Sequence, residues 1–462
     1  MKKFLCICMA LILALGCVYA LAEEDLQAQL DAANAQIAEL QAKVDAYYPY
    51  YFAQIVATYG EDGIIWLEDV TADYEAQAAQ YASYGMDVAS MGMEGFLKQS
   101  IVETAVQDAV LLAKASELGL DQLSEEEAAK LEEDAQSAMQ YYVDYFISYY
   151  YADAEEITPE MTEEANNYWA LNGITAESVL QDYTNAATFA AIEEYATKDV
   201  AVTEEDIQEA YDNLVLDNKE DYADDTIYNS DRSGGETIAW NPEGYRAVKH
   251  VLVKFNDEQA ALYSELQSQL ASLNAEKEAI ENPVEGEEGE ETEEAAEAAE
   301  PRSIEEIDAD IAACALEIEA LYSQLLPTAE EVIVKFNEGV SFEDLIAEYN
   351  EDPGMTNEPT ASQGYAVAAN STTWDPAFTE GAMSIAKKGD ISAPVYGSYG
   401  IHIIYYMDDV VAGEVALEEI REGVEAIAFD KKYSDTYNAQ VDAWMAEANV
   451  EYHLENFGVA AQ

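Results

Sequence analysis

Basic residues are scarce in this chain of 462 residues: 20 Lys and Arg stand against 95 Asp and Glu, a formal net charge of −75. A surface so negative repels nucleic-acid phosphates and anionic lipid headgroups, which argues against both as partners. It favours basic or unfolded polypeptides instead. Histidine is scarcer still, with three residues, and there are four cysteines. Cys6, Cys8 and Cys17 fall in the N-terminal segment, and Cys314 is left without an intramolecular partner, so no disulfide framework supports the fold. Beyond the N-terminus no apolar run reaches the length of a membrane-spanning helix. Hydrophobic residues, by contrast, make up 50% of the chain, enough for about two or three domains with cores of their own.

The N-terminal segment MKKFLCICMALILALGCVYALAEE has the parts of a secretory signal over residues 1–22. Lys2 and Lys3 precede a short apolar run, and the small residues Ala20 and Ala22 suit signal peptidase. The rival is a lipid anchor at Cys17, although Ala14 stands where such sequences usually carry Leu. Either way the protein is expected to be exported, extracellular or at the cell surface, with a membrane contact only through that lipid.

Residues 23–236 read as a helical region. Leu26, Leu30, Ala33, Ile37, Leu40 and Val44 form a heptad seam. The helical pattern continues to about Asp225, with a stop at Gly119 and capping boxes at Ser124/Glu127 and Thr203/Asp206. The tyrosine clusters YYPYY and YYVDYFISYYY either pack a helical core or offer an amphipathic surface to unfolded clients. Residues 229–245 read as a loop with paired glycines, leading into the strand RAVKHVLVKF (245–255 with its Tyr).

Residues 257–326 read as an inserted antiparallel helical hairpin. Leu262, Leu266, Leu270 and Leu273 mark one arm, and Ile304, Ile307, Ile311, Cys314, Ile318, Leu321 and Leu325 the other. The tip, 282–301, has no basic residue within NPVEGEEGEETEEAAEAAEP and cannot bury anything, so it should be solvated and disordered. After Pro327 a new helix is expected from the capping box Thr328/Glu331, then another from Ser341/Asp344. A loop, the segment GYAVA, the turn before Phe378 and the strand GIHIIYY follow, and 413–462 returns as a C-terminal helix.

With the insertion set aside, strands and helices alternate in an α+β unit at 237–412, and here the sequence resembles the parvulin-type peptidyl-prolyl cis/trans isomerases. The resemblance rests on HVLV (250–253), KFNEGVSFEDLIAEYN (335–350), Asp352 in NEDPG, WDPAF ending at Phe378, GDISAPV (389–395) and GIHII (400–404), in that order. The flanks resemble exported PrsA- and SurA-type foldases. The implied architecture is a four-stranded antiparallel sheet with helices, set in a SurA/trigger-factor-like helical chaperone region. The implied activity is prolyl isomerisation of unfolded secreted polypeptides containing Xaa-Pro bonds, without cofactor or metal; a homodimer is compatible with it. His250, Asp352 and His402 are implied as catalytic, and Trp374 and Phe378 as the lining of the proline pocket. Two departures stand out: Trp374 occupies a position usually Met or Leu, and SQG (362–364) replaces a GGxLG turn.

Other classes fit less well. Two histidines and Asp352 could form a two-His, one-carboxylate metal site, but the usual His-x-Asp/Glu spacing is missing. No Gly-x-Ser-x-Gly element supports a hydrolase. A client-binding chaperone with an inactive isomerase domain, and a surface interaction protein, are the remaining alternatives. His453 reads as an ordinary surface or end-strand residue.

Overall fold

The computed structural model describes residues 32–40, 42–43, 50–152, 154, 156–282 and 302–459. The signal segment 1–22 with Cys17, the seam positions Leu26, Leu30 and Val44, and all of the acidic tip but Asn282 lie outside the described residues. The chain divides into two compact units: Met1–Val200 with Lys432–Gln462, and Ala201–Lys431. No helix among the described residues is long and apolar enough to cross a membrane.

In the first unit, helices α1 (Leu67–Ser83), α2 (Glu94–Leu118), α3 (Glu125–Tyr150), α4 (Pro159–Leu171) and α5 (Ala176–Thr197) follow the expected periodicity. The Ser124/Glu127 capping box forms, and Gly119 ends α2 in the left-handed conformation. The helical reading from Glu24 to about Asp225 is not met at residues 55–66. Strands β1 (Ile55–Tyr59) and β2 (Gly63–Trp66) make an antiparallel hairpin, and β9 (Glu451–Tyr452) adds to β1. Short β-branched runs on either side of a Gly-Glu-Asp-Gly turn carried that signal. His453 follows β9 and packs on Phe52, as an end-strand residue would. The clustered tyrosines of α3 do not fill a core: Tyr141, Tyr145, Tyr149 and Tyr150 are exposed.

In the second unit, α6 (Glu204–Asp221) starts at the Thr203/Asp206 box. The expected loop at 229–245 is in part helix, since α7 spans Asp225–Gly234 and stops at Gly235 in the left-handed region. The site stands on a four-stranded antiparallel sheet of order β5-β4-β7-β6: β4 (Arg246–Lys254), β5 (Tyr365–Val367), β6 (Val395–Gly397) and β7 (Gly400–Asp409). Its central strands are apolar on both faces because both faces are covered. Val248, Ile404 and Tyr406 face α12 (Pro376–Ser384) with Phe378. Val251, Val253, Ile401 and Ile403 face the helical insertion and α10 (Phe342–Tyr349).

The insertion forms the expected hairpin from α8 (Asp257–Glu281) and α9 (Ile304–Asn337). Two details depart from expectation. Leu262 is 40% exposed while Leu266 is buried, so the seam is narrower than its spacing implied. More consequentially, no new helix starts at Thr328: α9 runs through Pro327 without a break. The proline removes one backbone bond, at a cost of about 3 kcal/mol. Leu321, Leu325, Ala329 and Val332 are buried along one side across it, and each buried leucine returns roughly 1.5–3 kcal/mol. The hairpin arm and the first helix of the sheet domain are therefore one rod.

This shared core makes a testable contrast. Leu321→Ala should destabilise the chain by about 2–4 kcal/mol, because Leu321 packs in the same cluster as the sheet. Leu262→Ala should change stability by less than about 0.5 kcal/mol. Urea unfolding followed by circular dichroism measures both.

Candidate active site

His250 lies on β4 opposite Ile404, and His402 lies on β7 opposite Leu252. The register makes the two histidines diagonal neighbours on one face of the sheet. Their rings stack at 5.0 Å between centroids, with Nδ1 2.9 Å from Nδ1. His250 Nε2 sits 2.7 Å from Asp352 Oδ2. The Tyr365 hydroxyl donates to the same oxygen at 2.8 Å, and the Gly354 N–H donates to Oδ1 at 3.0 Å.

The loop 350–352 is tied along β4 where no strand covers it. Asn350 Oδ1 accepts from the Leu252 N–H, the Glu351 N–H donates to the Leu252 carbonyl, and Glu351 Oε2 accepts from the Lys254 N–H. These bonds satisfy backbone groups that the short β5 leaves open. Asp352 thus arrives beside His250 as an N-cap of the short turn Pro353–Met355. A side chain at Gly354 would collide with the Tyr365 hydroxyl, which explains the glycine. Gly364, retained in the SQG turn, has φ +67° and a Cβ there would meet the Val248 backbone.

The protons follow from the bonds. Burial works against charge on Asp352, but the bond from His250, with those from Gly354 and Tyr365, holds its carboxyl down at about 2. Burial, and then the neighbouring His250, push His402 down to about 3, so its ring is neutral at physiological pH. Burial and the Asp352 charge push the Tyr365 phenol up. The carboxylate accepts from His250 Nε2–H, and one proton lies between the Nδ1 atoms of the two rings, its donor set by the tautomer; the remaining ring nitrogen is His402 Nε2. That nitrogen is buried without a hydrogen-bond partner. It lies against Gly397, where a Cβ would come within 2.7 Å.

Phe378 is buried and its ring stands roughly perpendicular to both imidazoles, with centroids 5.1 Å and 5.2 Å away. Trp374 stacks on Tyr365 at 4.4 Å and donates its indole N–H to the Ala366 carbonyl. His250, Asp352, His402, Trp374 and Phe378 all line one pocket of about 320 Å3, together with Leu252, Lys254, Glu351, Pro353, Tyr365, Asp375 and Tyr399. The pocket therefore joins apolar ring and leucine surface to the carboxylates of Glu351, Asp352 and Asp375 and to the two imidazoles.

Sequence reasoning missed three supports. Tyr365 gave no signal beyond its place after the SQG turn. Asp375 precedes a proline in an N-cap pattern; its Oδ1 accepts from the Ala377 N–H and its Oδ2 from the Ser398 N–H. Asp225 is buried and accepts from Tyr245, Ser371, Thr372 and Thr373, fixing the loop that delivers Trp374.

The pH dependence of stability follows. His402 is lowered in the folded state, so the unfolded chain binds its proton first and stability falls as pH drops from about 6.5 to about 3. Asp352 is also lowered, so its contribution is present above about 3.8 and is lost as pH falls through about 2. A melting-temperature series should show this acid slope, and His402→Gln should flatten it between pH 6.5 and 4.

Residues 316–408 match the family model Rotamase, described as a PPIC-type PPIASE domain. Foldase protein PrsA 2 of Listeria monocytogenes serotype 4b is 36% identical over 98 residues, covering 21% of this chain and 31% of its own. Chaperone SurA of Yersinia pestis is 29% identical over 116 residues, covering 25% of this chain and 24% of its own. Foldase protein PrsA of Clostridium perfringens is 21% identical over 357 residues, 77% of this chain and 72% of its own. The chain thus spans about a quarter to a third of the length of the first two relatives. Among solved structures, PrsA from Bacillus subtilis aligns over 80% of this chain and 93% of its own at 17% identity, with a TM-score of 0.22. Residues 316–408 hold a PPIC-type PPIase domain, and the structure completes its sheet with β4 from the far side of the helical insertion.

Proposed function

We propose that the protein is an exported foldase whose domain at 237–412 isomerises Xaa-Pro bonds of unfolded secreted polypeptides, while the helical regions at 23–236 and 413–462 hold the client. The observation that carries this reading is the continuous chain Tyr365–Asp352–His250–His402 under an apolar pocket. Export rests on the N-terminal pattern and client binding on the exposed tyrosines of α3, with the foldase and chaperone names of the relatives in support.

An uncatalysed Xaa-Pro bond turns over on the order of tens to hundreds of seconds, because rotation breaks amide resonance. The catalyst needs only to bind the twisted amide better than the planar one. Phe378 and Trp374 are the surfaces on which a prolyl ring would seat. The planar amide concentrates negative charge on its oxygen, and the Asp352 carboxylate beside it raises the energy of that form; twisting removes the charge and the repulsion. His250 and His402 are positioning residues that keep the carboxylate ionised and aimed.

A protease-coupled assay on the full chain tests this. Cis-to-trans conversion of an Ala-Pro peptide should be accelerated, and Asp352→Ala or Phe378→Ala should lower kcat/KM by roughly tenfold or more. Chelators should leave the rate unchanged, which separates this reading from a metal site. No acceleration over the uncatalysed rate would leave a client-binding chaperone.

A further inference from the structure

One face of the first unit sets aromatic rings among carboxylates with hardly a cation nearby. Tyr141, Tyr145 and Tyr149 recur at four-residue steps and so form a ridge along α3, at 67%, 52% and 70% exposure. Asp144 is exposed beside that ridge, three residues on from Tyr141. From Glu125 to Leu171 the one basic residue is Lys130, which precedes Tyr141 by about 16 Å along the helix axis. We propose that this face docks unfolded polypeptide segments that carry arginine and lysine, their cations seated on the tyrosine rings between carboxylates. The proposal rests on the reading of α3 as the client-holding surface and adds what that surface selects.

The ridge stands on a firm base. Val143, Phe146 and Ile147 of α3 are buried in one cluster with Ala165 of α4. Trp169 of α4 donates its indole N–H to the Tyr142 carbonyl at 2.8 Å. Its ring centroid lies 6.4 Å from that of Tyr145 and 5.1 Å from that of Tyr168. A tyrosine has only two side-chain torsions to fix, so on a helix held this way little ordering cost is left to binding.

Elsewhere the chain holds a cation of its own with the same groups. In the second unit Lys335 Nζ lies 4.6 Å over the Tyr349 ring and 2.7 Å from Glu348 Oε1, while the Tyr349 hydroxyl donates to Glu331. Tyr151, just past the ridge, repeats the phenol–carboxylate half of that arrangement: its hydroxyl donates to Glu164. Among the described residues no lysine or arginine lies over Tyr151 or over the ridge. A ring face attracts a cation through its quadrupole, and a carboxylate alongside adds Coulomb attraction. An aromatic client side chain gains the ring contact alone, and an acidic one is repelled by ring face and carboxylate alike.

The test uses the full chain and fluorescein-labelled, unstructured Gly-Ser peptides of one length that carry Arg, Gln, Phe or Glu at the same positions. Fluorescence anisotropy at physiological salt gives the dissociation constants. The Arg peptide should bind roughly tenfold more tightly than the Gln peptide, and roughly threefold more tightly than the Phe peptide. The triple variant Tyr141→Ser, Tyr145→Ser, Tyr149→Ser leaves the net charge unchanged and alters only exposed positions. It should keep its melting temperature while the advantage of Arg over Gln falls to about twofold, the part owed to the field of the whole chain. Should the triple variant melt early, Tyr145→Ser alone decides: a fall of roughly twofold upholds the site, and no change overturns it. Asp144→Asn with Glu164→Gln, which spares the rings, should lower the same advantage by roughly twofold. An advantage that survives the triple variant assigns binding to net charge and overturns the site. A preference for Phe overturns the cationic site and leaves α3 a client surface of apolar choice. Binding of none of the four peptides overturns the client-holding reading itself.

Discussion

A single carboxylate, Asp352, sits where three distant stretches of chain converge. It accepts from His250 on β4, from Tyr365 on β5 and from its own turn at Gly354. A half-buried charge is costly unless its lone pairs are occupied, and here each oxygen is. Because the carboxylate is held ionised, His250 keeps a proton on Nε2, and its other nitrogen, Nδ1, meets Nδ1 of His402. The orientation of both rings, and the place of His402 Nε2 against Gly397, follow from that arrangement. Small errors in the placement of the loop 350–352 would therefore be felt at the far end of the histidine pair.

The same dependence explains why a long insertion beside β4 does not loosen the site. An insertion joined by two flexible hinges would move independently of the sheet. In this protein the exit arm is continuous with the domain helix through Pro327, and the arm, the sheet and α10 share one buried cluster. The hairpin is held by the core on the opposite face of the two strands that carry the histidines. The chain gains a rigid extension of the sheet face at the expense of one helical hydrogen bond.

How far the sequence could be read differs between elements. The strands carrying His250 and His402, the helix starts at Ser124, Thr203 and Ser341, and the hairpin arms were legible because their signals are local: alternation, capping boxes and heptad spacing. The β1–β2 hairpin and α7 were not, since short apolar runs and a Gly-Gly pair are consistent with more than one local structure. Pro327 read as a helix break because the local rule says so, and tertiary burial on both sides outweighed it.

The sequence by itself determined the inventory of the site: two histidines in apolar strands, an Asp-Pro turn between them and a phenylalanine after WDPA, in an order that resembles one family. Tertiary structure alone decided which atoms meet. The diagonal pairing of His250 with His402 depends on strand register, and the third donor on Asp352 depends on β5 bringing Tyr365 across from 13 residues away. The latch from Asp225 to the Trp374 loop spans 146 residues or more and leaves no periodic trace. Local propensity is written residue by residue, whereas hydrogen bonds between distant segments are chosen only when the core has fixed where those segments lie.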